Sequence, residues 1–154
     1  MELKVQLKVS ANEVFEQLLN YISEDIKNST SKSVAIDKLQ KDFSYKKILR
    51  NQLGNEVPVK VMISELSRPT RYSACIENKK GTNTIDYILN DIDEGVEITY
   101  KETFKSQSML QSWNYFFASL IYTGRSKKKM RKQFAYLEQH ILDSKDNSLK
   151  KEGK

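Results

Sequence analysis

Residues 106–142 read SQSMLQSWNYFFASLIYTGRSKKKMRKQFAYLEQHIL, and this stretch decides the fold. Met109, Trp113, Phe116, Phe117, Leu120 and Ile121 recur at the spacing of one helical face, and Met130, Phe134, Leu137 and Ile141 resume it after a break. No other segment carries so much apolar surface on one stripe, so the rest of the chain is expected to wrap around it. One straight helix over these residues would be about 55 Å long at ~1.5 Å per residue. A chain of this size has a radius of gyration near about 15 Å, so such a helix would overhang. Thr123-Gly124-Arg125-Ser126 interrupts the stripe, and glycine costs about 1 kcal/mol inside a helix. A kink is therefore expected near Gly124, with that residue as a candidate hinge.

The segments before it alternate. Glu2 to Val9 places Leu3, Val5, Leu7 and Val9 on one face and Glu2, Lys4, Gln6 and Lys8 on the other, the period of a half-buried strand. Ser10 follows as a helix cap, with Glu13 three residues on completing a capping box. The helix then buries Val14, Phe15, Leu18, Leu19, Ile22 and Ile26, and fades in the loop at 28–33. Between Val34 and Leu53 the pattern is weakest: Phe43, Tyr45 and Ile48 fit a short strand with Lys46 and Lys47 exposed. Val57, Val59, Val61 and Ile63 alternate next, with Pro58 confined to a strand start or an edge. Tyr72, Ala74 and Ile76, then Ile85, Tyr87 and Leu89, then Val96, Ile98, Tyr100 and Phe104 mark three further strands. Their links, Asn78-Lys79-Lys80-Gly81 and 91–95, are too short for parallel crossovers, so the sheet is an antiparallel meander.

Composition limits the function classes. The chain has 154 residues, enough for one domain with a sizeable core, expected to span 1–142 with 143–154 as a polar, frayed tail. One cysteine, Cys75, excludes an intramolecular disulfide and a cysteine-built zinc site, and fits a reducing compartment. No signal-peptide pattern opens the chain and no apolar run approaches the ~20 residues of a membrane span, so a cytoplasmic location is expected. The net charge of +6 is concentrated: Lys105, Arg125, Lys127, Lys128, Lys129, Arg131 and Lys132 fall in one segment without an acid. A P-loop and a Gly-x-Gly-x-x-Gly motif are both missing, so no nucleotide cofactor is expected.

The capped helix after the first strand (Leu3 to Ile26), the meander (Val57 to Phe104) and the closing helix (Met109 to Leu142) together resemble the START-like superfamily, also called polyketide-cyclase-like or birch-pollen-allergen-like (SRPBCC). More narrowly, Phe43-Ser-Tyr-Lys-Lys47, Thr84-Ile-Asp-Tyr87, Val96-Glu-Ile-Thr-Tyr-Lys-Glu102 and Lys127-Lys-Lys-Met-Arg-Lys132 are similar to a small family of unknown function from low-GC Gram-positive bacteria. The resemblance implies an α+β helix-grip fold: a curved antiparallel sheet of six or seven strands gripping a long C-terminal helix. It also implies, in many members, a cavity for an apolar ligand between sheet and helix. It transfers no catalytic motif, since none of the superfamily's functional residues can be matched here.

Alternation turns Tyr72, Tyr87 and Tyr100 inward on three consecutive strands, and Trp113 and Phe117 are expected to face them. These five are the candidate ligand-binding residues, an apolar wall with a few phenols to orient a guest. The competing reading is that they simply fill the core. The basic cluster Arg125, Lys127, Lys128, Lys129, Arg131 and Lys132 offers a second class of function, binding an acidic protein or nucleic acid. Its neighbouring aromatics lie on the buried stripe and are not interleaved with the charges, so nucleic acid is the disfavoured partner and a solvated helix face the simpler account. His140, near the expected helix end, fits a favourable contact with the last carbonyls and not a catalytic base. Asp91, Asp93 and Glu94 lack calcium-loop spacing and read as solvated turn acids. The expectation is a non-enzymatic carrier of a small apolar or amphipathic molecule, with no metal and no cofactor.

Overall fold

The computed structural model describes residues 1–50, 53–106 and 123–152. Strand β1 (Glu2–Leu7) runs into helix α1 (Ala11–Thr30), and a short 3-10 turn at Ile36–Lys38 leads to β2 (Ser44–Arg50). The meander follows as β3 (Glu56–Ser67), β4 (Arg71–Asn78), β5 (Gly81–Ile92) and β6 (Gly95–Ser106), and helix α2 (Thr123–Glu152) closes the chain. All neighbours pair antiparallel in the order β1-β6-β5-β4-β3-β2, so β1 and β2 are the two edges. This is the helix-grip arrangement expected from the sequence, with six strands.

The sequence chemistry of each junction is visible. At the start of α1 the Ser10 side chain accepts from the Glu13 amide while Glu13 accepts from the Ser10 amide, the full capping box. Asp91 is exposed, as expected of a solvated turn acid, and also accepts from the Ala11 amide at 2.9 Å. It satisfies another of the helix's unpaired donors and places a negative charge at the positive helix end. The β5–β6 hairpin is thereby pinned to α1. Gly95, which begins β6, meets Leu7 of β1 so closely that a Cβ would fall on the Leu7 carbonyl oxygen, and only glycine fits there.

Along the first half of β6 the inner face is dry. Val96 and Ile98 are both fully buried, Leu89 lies opposite Ile98 on β5, and Leu3 and Leu7 flank them on β1. The apolar face of α1 (Val14, Phe15, Leu19, Ile22, Ile26) and Phe134, Leu137 and Ile141 of α2 complete this core. Each such Leu, Ile or Phe stabilises by about 1.5–3 kcal/mol when withdrawn from water. Two polar ties hold α2 in register. The Lys8 amide donates to Glu138 at 2.7 Å, and Lys145 pairs with Glu13 at 2.7 Å.

Several expectations are corrected. The helix does not fray after Leu142 but continues to Glu152, and Lys145 on this extension pairs with Glu13 of the capping box. His140 therefore lies well inside α2, exposed, and has no contact with terminal carbonyls to offer. On β2 the pairs Tyr45↔Val61 and Lys47↔Val59 put Lys47, not Ile48, on the inner face, and Ile48 is 61% exposed. Strand alternation dictates this, since Tyr45 and Lys47 are two residues apart and Ile48 is three. A bulge between Ile63 and Glu65 on β3 shifts the phase, so that Leu66 faces Tyr72 across the strands. Met109, Phe116, Leu120 and Ile121 lie outside the described residues, as does the segment ahead of the kink expected near Gly124. Gly124 itself is in the first turn of α2.

Candidate functional site

Beyond Leu89 and Ile98 the inner face changes character. Tyr87 lies opposite Tyr72 on one side and Tyr100 on the other, so the three tyrosines form a row across β4, β5 and β6. Their rings sit 6.1 Å apart for Tyr72–Tyr87 and 5.0 Å for Tyr87–Tyr100, the latter edge to face. Phe134 of α2 meets the row edge-on, 6.2 Å from Tyr87 and 6.4 Å from Tyr100. Such tilted contacts are the favoured aromatic geometry and hold the rings in place. Trp113 and Phe117, expected opposite the row, lie outside the described residues.

One step further along the same strands come polar groups. Glu102 follows Tyr100 in phase on β6, and Asn83 follows Ile85 in phase on β5. The Glu102 carboxylate accepts from the Tyr100 hydroxyl at 2.9 Å and from the Asn83 amide nitrogen at 2.7 Å. That second bond fixes which way the Asn83 amide points. Among the described residues its oxygen is buried without a hydrogen-bond partner, the kind of orphan acceptor that folded proteins rarely leave in a finished core. The Met1 amino group bonds the Glu102 backbone carbonyl at 2.8 Å, and the described ion pairs do not include the Glu102 side chain.

At the opposite edge of the inner face, Lys47 reaches both carboxylate oxygens of Asp25 on α1, at 2.7 and 2.9 Å, and the Tyr45 hydroxyl donates to the same carboxylate. This half-buried cluster clamps β2 to α1. The phenols respond to these surroundings. Burial, with the Glu102 charge adding to it, pushes Tyr87 up to about 12. Burial raises Tyr100 further, helped by Glu102 and Tyr87, and its hydrogen bond to Glu102 acts in the same direction. Tyr72 is raised by burial and then by Tyr87 and Asp25, and Tyr45 by burial and its bond to Asp25. All four are neutral hydroxyls at physiological pH, able to donate and accept hydrogen bonds and poor at giving up the proton.

A family model described as a domain of unknown function, DUF3284, matches residues 1–123. The chain belongs to the DUF3284 family. The matched part of this DUF3284 domain carries the whole sheet, α1 and every residue of the tyrosine row and the Glu102–Asn83 pair, and it ends where α2 begins. Solved structures extend the likeness in fold. Ara h 8.0201 is 16% identical with a TM-score of 0.62, covering 93% of this chain and 97% of that one. A conserved protein from Geobacillus kaustophilus is 18% identical with a TM-score of 0.59, over 93% of this chain and 95% of that one. A protein of unknown function from Staphylococcus aureus is 12% identical with a TM-score of 0.60, over 96% of each. No curated protein matches the DUF3284 chain in sequence.

The remaining candidates fall elsewhere. Lys128, Lys129, Arg131 and Lys132 are exposed on α2, and Lys127 is half-buried. Nothing is described of the Arg125 side chain. Phe134 beside the cluster is buried on the apolar stripe, while Tyr136, four residues past the last basic residue, is 64% exposed with Lys132 over its ring at 5.9 Å. Two surface grooves are also present, one of about 600 Å³ between α1 and α2 and one of about 700 Å³ near the α1 C-terminus, reaching Lys47 and Val59. Neither touches the tyrosine row. Among the described residues no group of His, Cys, Asp and Glu could hold a metal ion, and no helix is long and apolar enough to cross a membrane.

Glu102, Asn83, Asp25, Tyr45 and Lys47 were not among the sequence candidates. The signal for two of them was available. Glu102 shares the even-numbered phase of Val96, Ile98, Tyr100 and Phe104, and Asn83 shares the odd-numbered phase of Ile85, Tyr87 and Leu89.

Proposed function

We propose that this protein holds a small amphipathic molecule against the inner face of the sheet, beside the closing helix, and does not transform it chemically. The observation that carries this reading is the polar content of the inward face beyond Leu89 and Ile98: three phenols, a carboxylate and an amide oxygen without a partner. A core that only fills space does better with apolar side chains, because every buried polar group must recover the hydrogen bonds it leaves in water. A few fixed polar groups among aromatic walls is the usual make-up of a small-molecule site. The family's helix-grip fold supports the same reading, as does the neutral state of the phenols, which suits hydrogen bonding to a guest better than acid catalysis. Cys75, across from Thr84, and the exposed His140 stand away from the row.

The test is direct. Native mass spectrometry of the protein purified without detergent is expected to show a non-covalent adduct, and Nile red, a neutral apolar dye, is expected to brighten on binding and be displaced by amphiphiles. Ile85→Trp places an indole across the strand from Glu102 and is expected to weaken dye uptake by about tenfold or more. Absence of both adduct and dye binding would overturn the proposal.

The exposed basic face with Tyr136 favours a second reading, an anionic macromolecular partner on α2. Salt-sensitive RNA or DNA binding lost on charge reversal at Lys127, Lys128 and Lys129 would place the function there.

A further inference from the structure

The polar end of the inner face has a definite chemical sense. The Glu102 carboxylate and the Asn83 amide oxygen are both acceptors, and they are adjacent, linked by the 2.7 Å bond from the Asn83 nitrogen. The amide cannot flip to satisfy its oxygen without setting that oxygen against the carboxylate. The orphan acceptor therefore persists as long as Glu102 is charged. Glu102 keeps lone pairs beyond the two used by Tyr100 and Asn83, since a carboxylate offers about four acceptor sites. The rings of Tyr87 and Tyr100 stand next to it, 5.0 Å apart and edge to face, and continue the surface from the two acceptors as an aromatic wall. One carboxylate and one unpaired amide oxygen, both acceptors, call for a positively charged hydrogen-bond donor; the Met1 ammonium nearby is directed to the Glu102 backbone carbonyl, and no described hydrogen bond joins it to either of these acceptors.

From this juxtaposition of Glu102, the unpartnered Asn83 oxygen and the Tyr87–Tyr100 pair we infer that the guest is a cationic amphiphile, its ammonium group held at Glu102 and Asn83 and its apolar part along the tyrosine row. The inference rests on the ligand-holding reading above and specifies the head group. An amine supplies donors for both acceptors at once and neutralises the Glu102 charge. An alcohol satisfies only one acceptor at a time and leaves the charge, and a carboxylic acid brings a second negative charge beside Glu102. Hydrogen bonds to a charged group exceed neutral ones by about a factor of two in strength, so the three head groups should be ranked clearly.

Dodecylamine and dodecanoate, each below its micelle concentration, and dodecanol, below its solubility limit, can be compared by displacement of Nile red from the protein and from its Glu102→Gln variant. The amine is expected to bind the unmodified protein about tenfold or more tightly than the alcohol, and the acid most weakly. In Glu102→Gln the amine and the alcohol are expected to converge to within about threefold. If the alcohol or the acid binds as well as the amine, the head-group inference is overturned while the ligand-holding reading stands. If none of the three displaces dye and no dye binds, the broader reading fails as well. The unmodified protein alone decides the ranking, so the result survives even if the variant is unstable.

Discussion

Strands β5 and β6 run side by side for twelve residues each, yet the two halves of their shared inner face have opposite chemistry. Near Gly95 the facing pair is Leu89 and Ile98, 1% and 0% exposed, sealed by α1 and α2. Four residues further along β6 the inward group is Glu102, facing Ile85 and bonded to Asn83. The tyrosine row lies at the border, with Phe134 of α2 resting on it. The dry half is tied down around the β1–α1 junction: by the Ser10 capping box, by Asp91 of β5 on the Ala11 amide, and by Glu138 of α2 on the Lys8 amide. Stability is thereby concentrated at one end, which leaves the other end free to carry groups that a close-packed core would exclude.

Alkali should break the molecule from the polar half. Tyr45, Tyr72, Tyr87 and Tyr100 all have folded-state values raised above the ~10 of an unfolded tyrosine. The folded state thus holds their protons more tightly. Their contribution is fully present below pH ~10 and is lost as pH rises through the folded-state values. Phenolate absorbance and circular dichroism recorded together should show these four of the eight tyrosines silent at pH 10.5 and ionising only as the fold is lost. Tyr100→Phe should move that transition to higher pH. Early, non-cooperative ionisation of all eight would show that the row is open to solvent.

A smaller effect separates the halves by mutation. Ile98→Ala opens a cavity in the dry half and should cost about 3 kcal/mol of unfolding free energy. Glu102→Gln preserves shape and most hydrogen bonding in the polar half and should cost about 1 kcal/mol or less. Urea denaturation midpoints at unchanged m-value measure both. Equal losses would mean that Glu102 is as much a part of the stabilising core as Ile98.

The dry half was legible in the sequence because apolar residues at period two or at helical spacing declare their own faces. Leu3 to Val9, the Ser10–Glu13 box and the three tyrosines needed nothing more. The polar half was not, since a glutamate in a strand reads as solvent-facing unless phase is given more weight than residue type, and Glu102 and Lys47 both went unassigned to the interior for that reason. Asp25 sits on α1 beside Ile26, and only the tertiary approach of β2 supplies Tyr45 and Lys47 as partners. The Asn83 oxygen is a matter of amide orientation, which no residue pattern records.

The least of the expected effects concerns the tie between α2 and the dry half. Partial burial alone would raise the Glu13 carboxyl, but the hydrogen bond from Lys145, the Ser10 backbone and side-chain bonds and the Lys145 charge outweigh it and hold it below its ordinary value. A depressed carboxyl contributes stability above its unfolded value and loses it as pH falls through the folded one. Acid should therefore loosen α2 from α1 at a pH just below the ordinary glutamate range. Because the pair is largely solvent-exposed, the loss should stay below about 1 kcal/mol. Glu13→Gln should remove the pH dependence over that window, and Lys145→Met should reduce it without abolishing it, since the Ser10 amide and hydroxyl bonds remain. Amide hydrogen exchange over the last turns of α2, compared at neutral pH and at a pH below the ordinary glutamate range, reads the loosening where it occurs. An identical change in both variants and the unmodified protein would mean that the C-terminal turns of α2 are held by something other than Glu13. The dry half would then depend on Phe134, Leu137 and Ile141 and on the Lys8 amide bond to Glu138 for its hold on the helix.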